Sequence, residues 1–233
     1  MKNPSRLGTL LLFPVLLLSG CASISVSKIK PVANQSFVAP KKIYVREFTG
    51  PESVFRVDRK GDSLTEFRTK TAKQLSDDLV KKLKESVIPA EALAANSRPP
   101  KGNHWLVTGT FERVNQGSKM LRMLIGLGSG GTKIETHVHV FECTSGKEAE
   151  LMSFRTSGGS NIEPGPGILT GGPPDPIDAT ITILWTNGMT GLTKDITRTA
   201  KEIAAEISDY LAKHGVTPKD PKLKVKLMRG PKA

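Results

Sequence analysis

The chain has 233 residues, with 34 Lys and Arg against 22 Asp and Glu, giving a formal charge of +12. Apolar residues make up 37%, aromatics 5%, and there are two cysteines. That length suits one domain with tails. The composition excludes a polytopic membrane protein, a disulfide scaffold and a collagen-like or wholly disordered chain.

Lys2 and Arg6 open the chain, Leu7 to Leu18 is a run of twelve mostly apolar residues, and Ser19-Gly20-Cys21 follows. A bilayer-spanning helix needs about 20 apolar residues, so this run is short for one. Positive start, short apolar core and small residues form the pattern of a secretory signal. Leu18-Ser19-Gly20-Cys21 resembles the lipobox of bacterial lipoproteins. The resemblance implies cleavage between Gly20 and Cys21 and acylation of the Cys21 thiol by fatty acids such as palmitate. Two or three acyl chains would make a durable anchor, since each buried methylene contributes about 0.8 kcal/mol. Ala22, where inner-membrane lipoproteins often carry Asp, implies the outer membrane, facing the periplasm.

Removing residues 1–20 lowers the net charge from +12 to +10. Residues 22–40 show no helical period and read as a tether. Lys41 to Phe48 is rich in β-formers and reads as a strand ended by Gly50-Pro51. Residues 62–86 carry Leu64, Phe67, Thr71, Leu75, Leu79 and Leu83 at helical spacing. Asp62 or Ser63 is expected to cap this helix, Lys81, Lys82 and Lys84 favour its negative end, and Ile88-Pro89 stops it. Residues 94–103 read as a loop.

Three strands are predicted next, at His104–Val114, Lys133–Cys143 and Ala149–Thr156. The last two form a hairpin over Ser145-Gly146. In the first, Trp105, Val107, Gly109 and Phe111 share a face. In the second, Ile134, Val138 and Val140 share one face, and His137, His139 and Phe141 the other. Residues 157–194 are rich in Gly and Pro and carry an apolar patch of Ile181, Ile183, Leu184, Trp185, Met189 and Leu192. A partner-binding patch and a short strand or lid packed on the sheet both fit it. A second helix spans about 194–214, with Ile196, Ala200, Ile203, Ile207 and Leu211 on its apolar side and Gly215 and Pro218 at its end. In the tail, Lys213, Lys219, Lys222, Lys224, Lys226, Arg229 and Lys232 stand against Asp220. This suits either a solvated end or a contact with an anionic surface.

The stretches Lys42-Ile43-Tyr44-Val45-Arg46-Glu47-Phe48, Val87-Ile88-Pro89-Ala90, residues 106–118 (LVTGTFERVNQGS) and residues 125–130 (IGLGSG) carry a resemblance. From residue 41 to about 211 the chain resembles bacterial lipoproteins with the domain of unknown function numbered 4410, Arg122 standing for the Arg of the family's Gly-rich join. The resemblance implies an α/β sandwich layer. It implies no reaction and no catalytic residues.

Candidate chemistry is thin. Gly126 to Lys133 suggests a phosphate loop, but Thr132 precedes Lys133 and a strand follows where a helix is required. His137, His139 and Cys143 share a strand face and include zinc-ligand types, without an evident fourth ligand. With Cys21 acylated, Cys143 has no disulfide partner, and spacing alone places neither His104 nor His214 beside it as a base. No G-x-S-x-G, H-E-x-x-H or C-x-x-C occurs, and Asp77-Asp78 reads as a solvated helix face.

The expected fold is α/β (α+β): one mixed, largely antiparallel sheet of four or five strands covered by two amphipathic helices. The expected order is a signal peptide at 1–20, a lipidated tether at 21–40, the domain at 41–214 and a basic tail at 215–233. The expected role is that of a non-enzymatic, lipid-anchored envelope component presenting a binding surface, with no cofactor, metal or nucleic acid. Its contacts would be the membrane through Cys21, a protein through the apolar segment 177–192, and an anionic surface through the tail. The rival is an envelope hydrolase or metal-binding module using His137, His139 or Cys143.

Overall fold

The computed structural model describes residues 23–31, 38–117, 131–144, 147–159, 189–218 and 220–223. The elements are β1 (Ser23–Pro31), β2 (Ile43–Arg46), a 3-10 turn (Glu52–Val54), β3 (Phe55–Arg56), α1 (Gly61–Ser86), β4 (Ala90–Leu93), β5 (His104–Asn115), β6 (Lys133–Thr144), β7 (Lys147–Gly159) and α2 (Met189–Lys213). Cys21, Gly20, the 145–146 turn, residues 160–188 and the tail beyond 223 lie outside the described residues.

One sheet organises the molecule. Its order is β1-β7-β6-β5-β2-β4, with β3 pairing β5 beside this path, for seven strands in all. The run β1, β7, β6, β5 is antiparallel. β2 lies parallel to both β5 and β4. Parallel neighbours need a long crossover, and α1 supplies it between β2 and β4. The class is the expected α+β. The strand count exceeds the expected four or five because β1, β3 and β4 are additional. β3 has two residues and β4 four, too few to show a period.

The tether expectation is corrected over Ser23–Pro31, which pairs along β7 from Ser23 opposite Gly159 to Pro31 opposite Met152. The alternation Ser23-Ile24-Ser25-Val26-Ser27 was the available signal, and Val26 is buried in the core. The far end of the domain is also longer than expected. Leu223 packs into the main core at 3% exposure, so the tail is held at least to that residue.

Both helices lie on one sheet face. Each residue of the predicted α1 stripe (Leu64, Phe67, Thr71, Leu75, Leu79 and Leu83) is buried. So is the α2 stripe, with Ile203, Ile207 and Leu211 at 0% exposure. They meet Ile43, Val45, Trp105, Val107, Phe111, Val138, Val140 and Phe154 in one continuous core. Leu192 belongs to that core, so this part of the 177–192 segment is not available to a partner.

The predicted cap of α1 is corrected. Its N-cap is Lys60, with no side-chain capping bond, and Asp62 and Ser63 sit in the first turn, where Ser63 Oγ donates to the Lys60 carbonyl at 2.9 Å. α2 ends as expected at Gly215, which has φ 72°, with Val216 N–H donating to Leu211 O and Gly215 N–H to Ala212 O, both at 3.0 Å. These two bonds form a Schellman cap, which needs a left-handed residue at that point. Among the described residues, no helix is long and apolar enough to cross a membrane.

Candidate functional site

The face of the sheet turned away from the helices carries the remaining chemistry. Alternation places Leu106, Tyr44 and Cys143 there, in a small apolar cluster separate from the main core, with Leu93 and Phe141 against it. His104 pairs with Cys143 across β5 and β6. The His104 ring meets Tyr44 edge-on at 5.1 Å between centroids. His104 is 5% exposed, and its Nε2 has no hydrogen-bond partner among the described residues. Burial lowers its pKa, so the imidazole is neutral at pH 7.

His137 and His139 lie farther along β6, opposite Thr110 and Thr108. Their rings are 4.2 Å apart, and His139 Nδ1 is 2.6 Å from Glu150 Oε1. Burial, then the neighbouring His139 and Arg155, lower the pKa of His137. Arg155 pairs with Glu112 at 2.6 Å. The sheet does not bring His137, His139 and Cys143 together. Four residues of strand separate His139 from Cys143, about 13 Å at strand rise. No group of three His, Cys, Asp or Glu that could hold a metal occurs among the described residues.

Cys143 is 4% exposed, and burial, with Glu148 adding to it, pushes its thiol up to about 11. A thiol held protonated is a poor nucleophile at neutral pH, and its packing against Tyr44 and Leu106 is that of a small apolar residue. The glycine-rich join is described only from Gly131. Thr132 is fully buried and donates to Asp195 Oδ2 of α2 at 2.5 Å, and Lys133 is paired with Glu135 at 2.6 Å. Neither side chain is free to cradle a phosphate.

The arrangement the sequence did not reveal is a cleft of about 640 Å³ where β5 starts, β6 ends and β7 starts. His104 and Cys143 line it, together with the Arg98–Gly102 loop, Arg46, Lys147 and Glu148. Arg46 Nε donates to Ser97 O at 3.3 Å, which ties the strand to that loop. Pro99 and Pro100 stiffen this wall, since each ring fixes φ. The cations come from three segments about fifty positions apart in the chain, and only the tertiary fold joins them.

Among the described residues the fold is thus an α+β domain with one helix-covered face and a second face that borders a cationic cleft. The chain belongs to the family described as a domain of unknown function, DUF4410, whose model matches residues 43–159. No curated protein matches. The PelC dodecamer from Paraburkholderia phytofirmans is 9% identical with a TM-score of 0.36, covering 59% of this chain and 86% of that one. A point variant of that dodecamer is 8% identical with a TM-score of 0.34, covering 74% and 95%. A neuraminyllactose-binding hemagglutinin homologue from Helicobacter pylori is 9% identical with a TM-score of 0.29, covering 75% and 98%. Scores this low support no inference about function.

Proposed function

We propose that the protein is a lipid-anchored component of the cell envelope, without a catalytic role, that presents a binding surface from its sheet. The observation that carries this reading is Leu18-Ser19-Gly20-Cys21 directly behind a short apolar run and a positive start. The buried, protonated Cys143 and the separation of His137 and His139 from it favour binding over chemistry.

The start of β1 sharpens the anchor. Ser23 is already paired with Gly159, and two residues of chain reach at most about 7 Å. A lipid on Cys21 would therefore hold this corner of the sheet close to the bilayer instead of on a long leash. Ala22 favours the outer membrane.

The test is the intact mass of the native product together with membrane fractionation of the full chain and a Cys21→Ser variant. The expected result is a diacyl or triacyl adduct and membrane association for the native chain, and release of the variant to the soluble fraction. An unmodified native chain in the soluble fraction overturns the reading.

A further inference from the structure

We infer that the cleft between Arg46, Arg98, Lys101 and Lys147 is a binding site for an anion carrying two or more phosphate groups. The inference deepens the reading of the domain as a binding module and rests on it; the anchor enters only in the choice between a dissolved and a lipid source.

Charge balance is the first support. Several basic side chains elsewhere are neutralised locally, as in Lys42–Glu91, Lys73–Asp77, Arg155–Glu112 and Lys213–Asp209. None of the four cations of the cleft has an ion-pair partner among the described residues, and the lining contains one acid, Glu148. Four positive charges against one leave an excess that a single carboxylate does not match. A ligand with two phosphates does.

Shape and donor type agree. About 640 Å³ lies within the usual ~300–1,000 Å³ of small-ligand sites and exceeds what one phosphate fills. Arg46 and Arg98 supply planar forks that grip two phosphate oxygens at once, and the lysines add point charges. Arg46 is already oriented by its bond to Ser97 O. His104, which lines the same cleft, is buried and has an Nε2 without a hydrogen-bond partner among the described residues.

Position narrows the source. Glu148 and Gly159 stand eleven residues apart on β7, about 36 Å at strand rise, and Gly159 is opposite Ser23. The cleft therefore opens at the end of the sheet remote from the anchor, which favours a dissolved phosphate-bearing ligand over headgroups of the anchoring bilayer.

The experiment is calorimetric titration of inorganic pyrophosphate into the full chain in detergent micelles. It is repeated with Arg98→Gln/Lys147→Gln and with Lys201→Gln, a control that removes a charge from the exposed face of α2. Arg98, Lys147 and Lys201 are exposed, so all three proteins should fold alike, as circular dichroism checks. The expected result is saturable binding, weakened at least about tenfold by the double variant and unchanged by the control. Adding cardiolipin, whose headgroup carries two phosphates, or phosphatidylcholine to the micelles separates the sources. Displacement by cardiolipin alone assigns the site to a lipid headgroup, and lack of displacement assigns it to a dissolved anion. Absence of saturable pyrophosphate binding, or equal affinity of the double variant and native chain, overturns the inference. The mass of Cys21 in the same sample reports separately on the anchor.

Discussion

At the scale of single residues, two glycines show different physics. A Cβ on Gly109 would lie 2.4 Å from the Phe48 ring and 2.7 Å from the His137 carbonyl oxygen. Phe48 is packed over that strand and cannot move away freely. Gly109→Ala should therefore cost about 2 kcal/mol, as overpacking typically does. Gly215 has open space around its Cα but a φ of 72°. Gly215→Ala should cost only the left-handed penalty, about 1 kcal/mol. Urea unfolding of both variants checks the order of the two effects.

The histidines set a pH response. Burial holds His104 and His137 below the ordinary 6.5 in the folded chain. The unfolded chain then binds more protons as pH falls, and stability drops with it. This contribution is fully present above about pH 6.5 and is lost progressively below it. Denaturant midpoints measured from pH 7.5 to 5 should fall, and the fall should be shallower in His137→Gln. An equal slope in that variant would place the effect elsewhere.

At the scale of elements, α1 does two tasks. It returns the chain from β2 to the parallel neighbour β4, and it buries Leu75, Leu79 and Leu83 at 0% exposure. Leu79→Ala leaves a hole under the middle of the helix and should cost about 2–5 kcal/mol. Chemical denaturation measures this, with the exposed Lys81→Ala as a control expected within about 0.5 kcal/mol of the native chain. β1 has a different role. It occupies the edge of β7, which would otherwise present unpaired backbone groups. The fully buried Thr136–Thr156 pair, 2.7 Å apart, ties β6 to β7 on the helix side. A hydroxyl there is satisfied by another hydroxyl, which spares the cost of burying a lone polar group.

At the scale of the whole molecule, the sheet divides the work between its faces. One carries the two helices and the core. The other keeps a small apolar cluster, a line of histidines and the cationic cleft. Family membership adds no chemistry to this division, since DUF4410 is a domain of unknown function.

Much of this was legible in the residues alone. Period fixed the two helices, because a stripe such as Leu64, Phe67, Thr71, Leu75 is a local property that packing only has to accept. Alternation did the same for β5, β6 and β7, down to which side chains of β5 face the core. The pairing of β1 with β7, the parallel placing of β4 and the joining of Arg46, Arg98, Lys101 and Lys147 around one cleft were decided by tertiary structure. Short strands carry too few residues to show a period, and a cleft assembled from distant segments leaves no spacing to read. Register across a sheet is a relation between segments, set by how their apolar faces are buried together, and no single segment contains it.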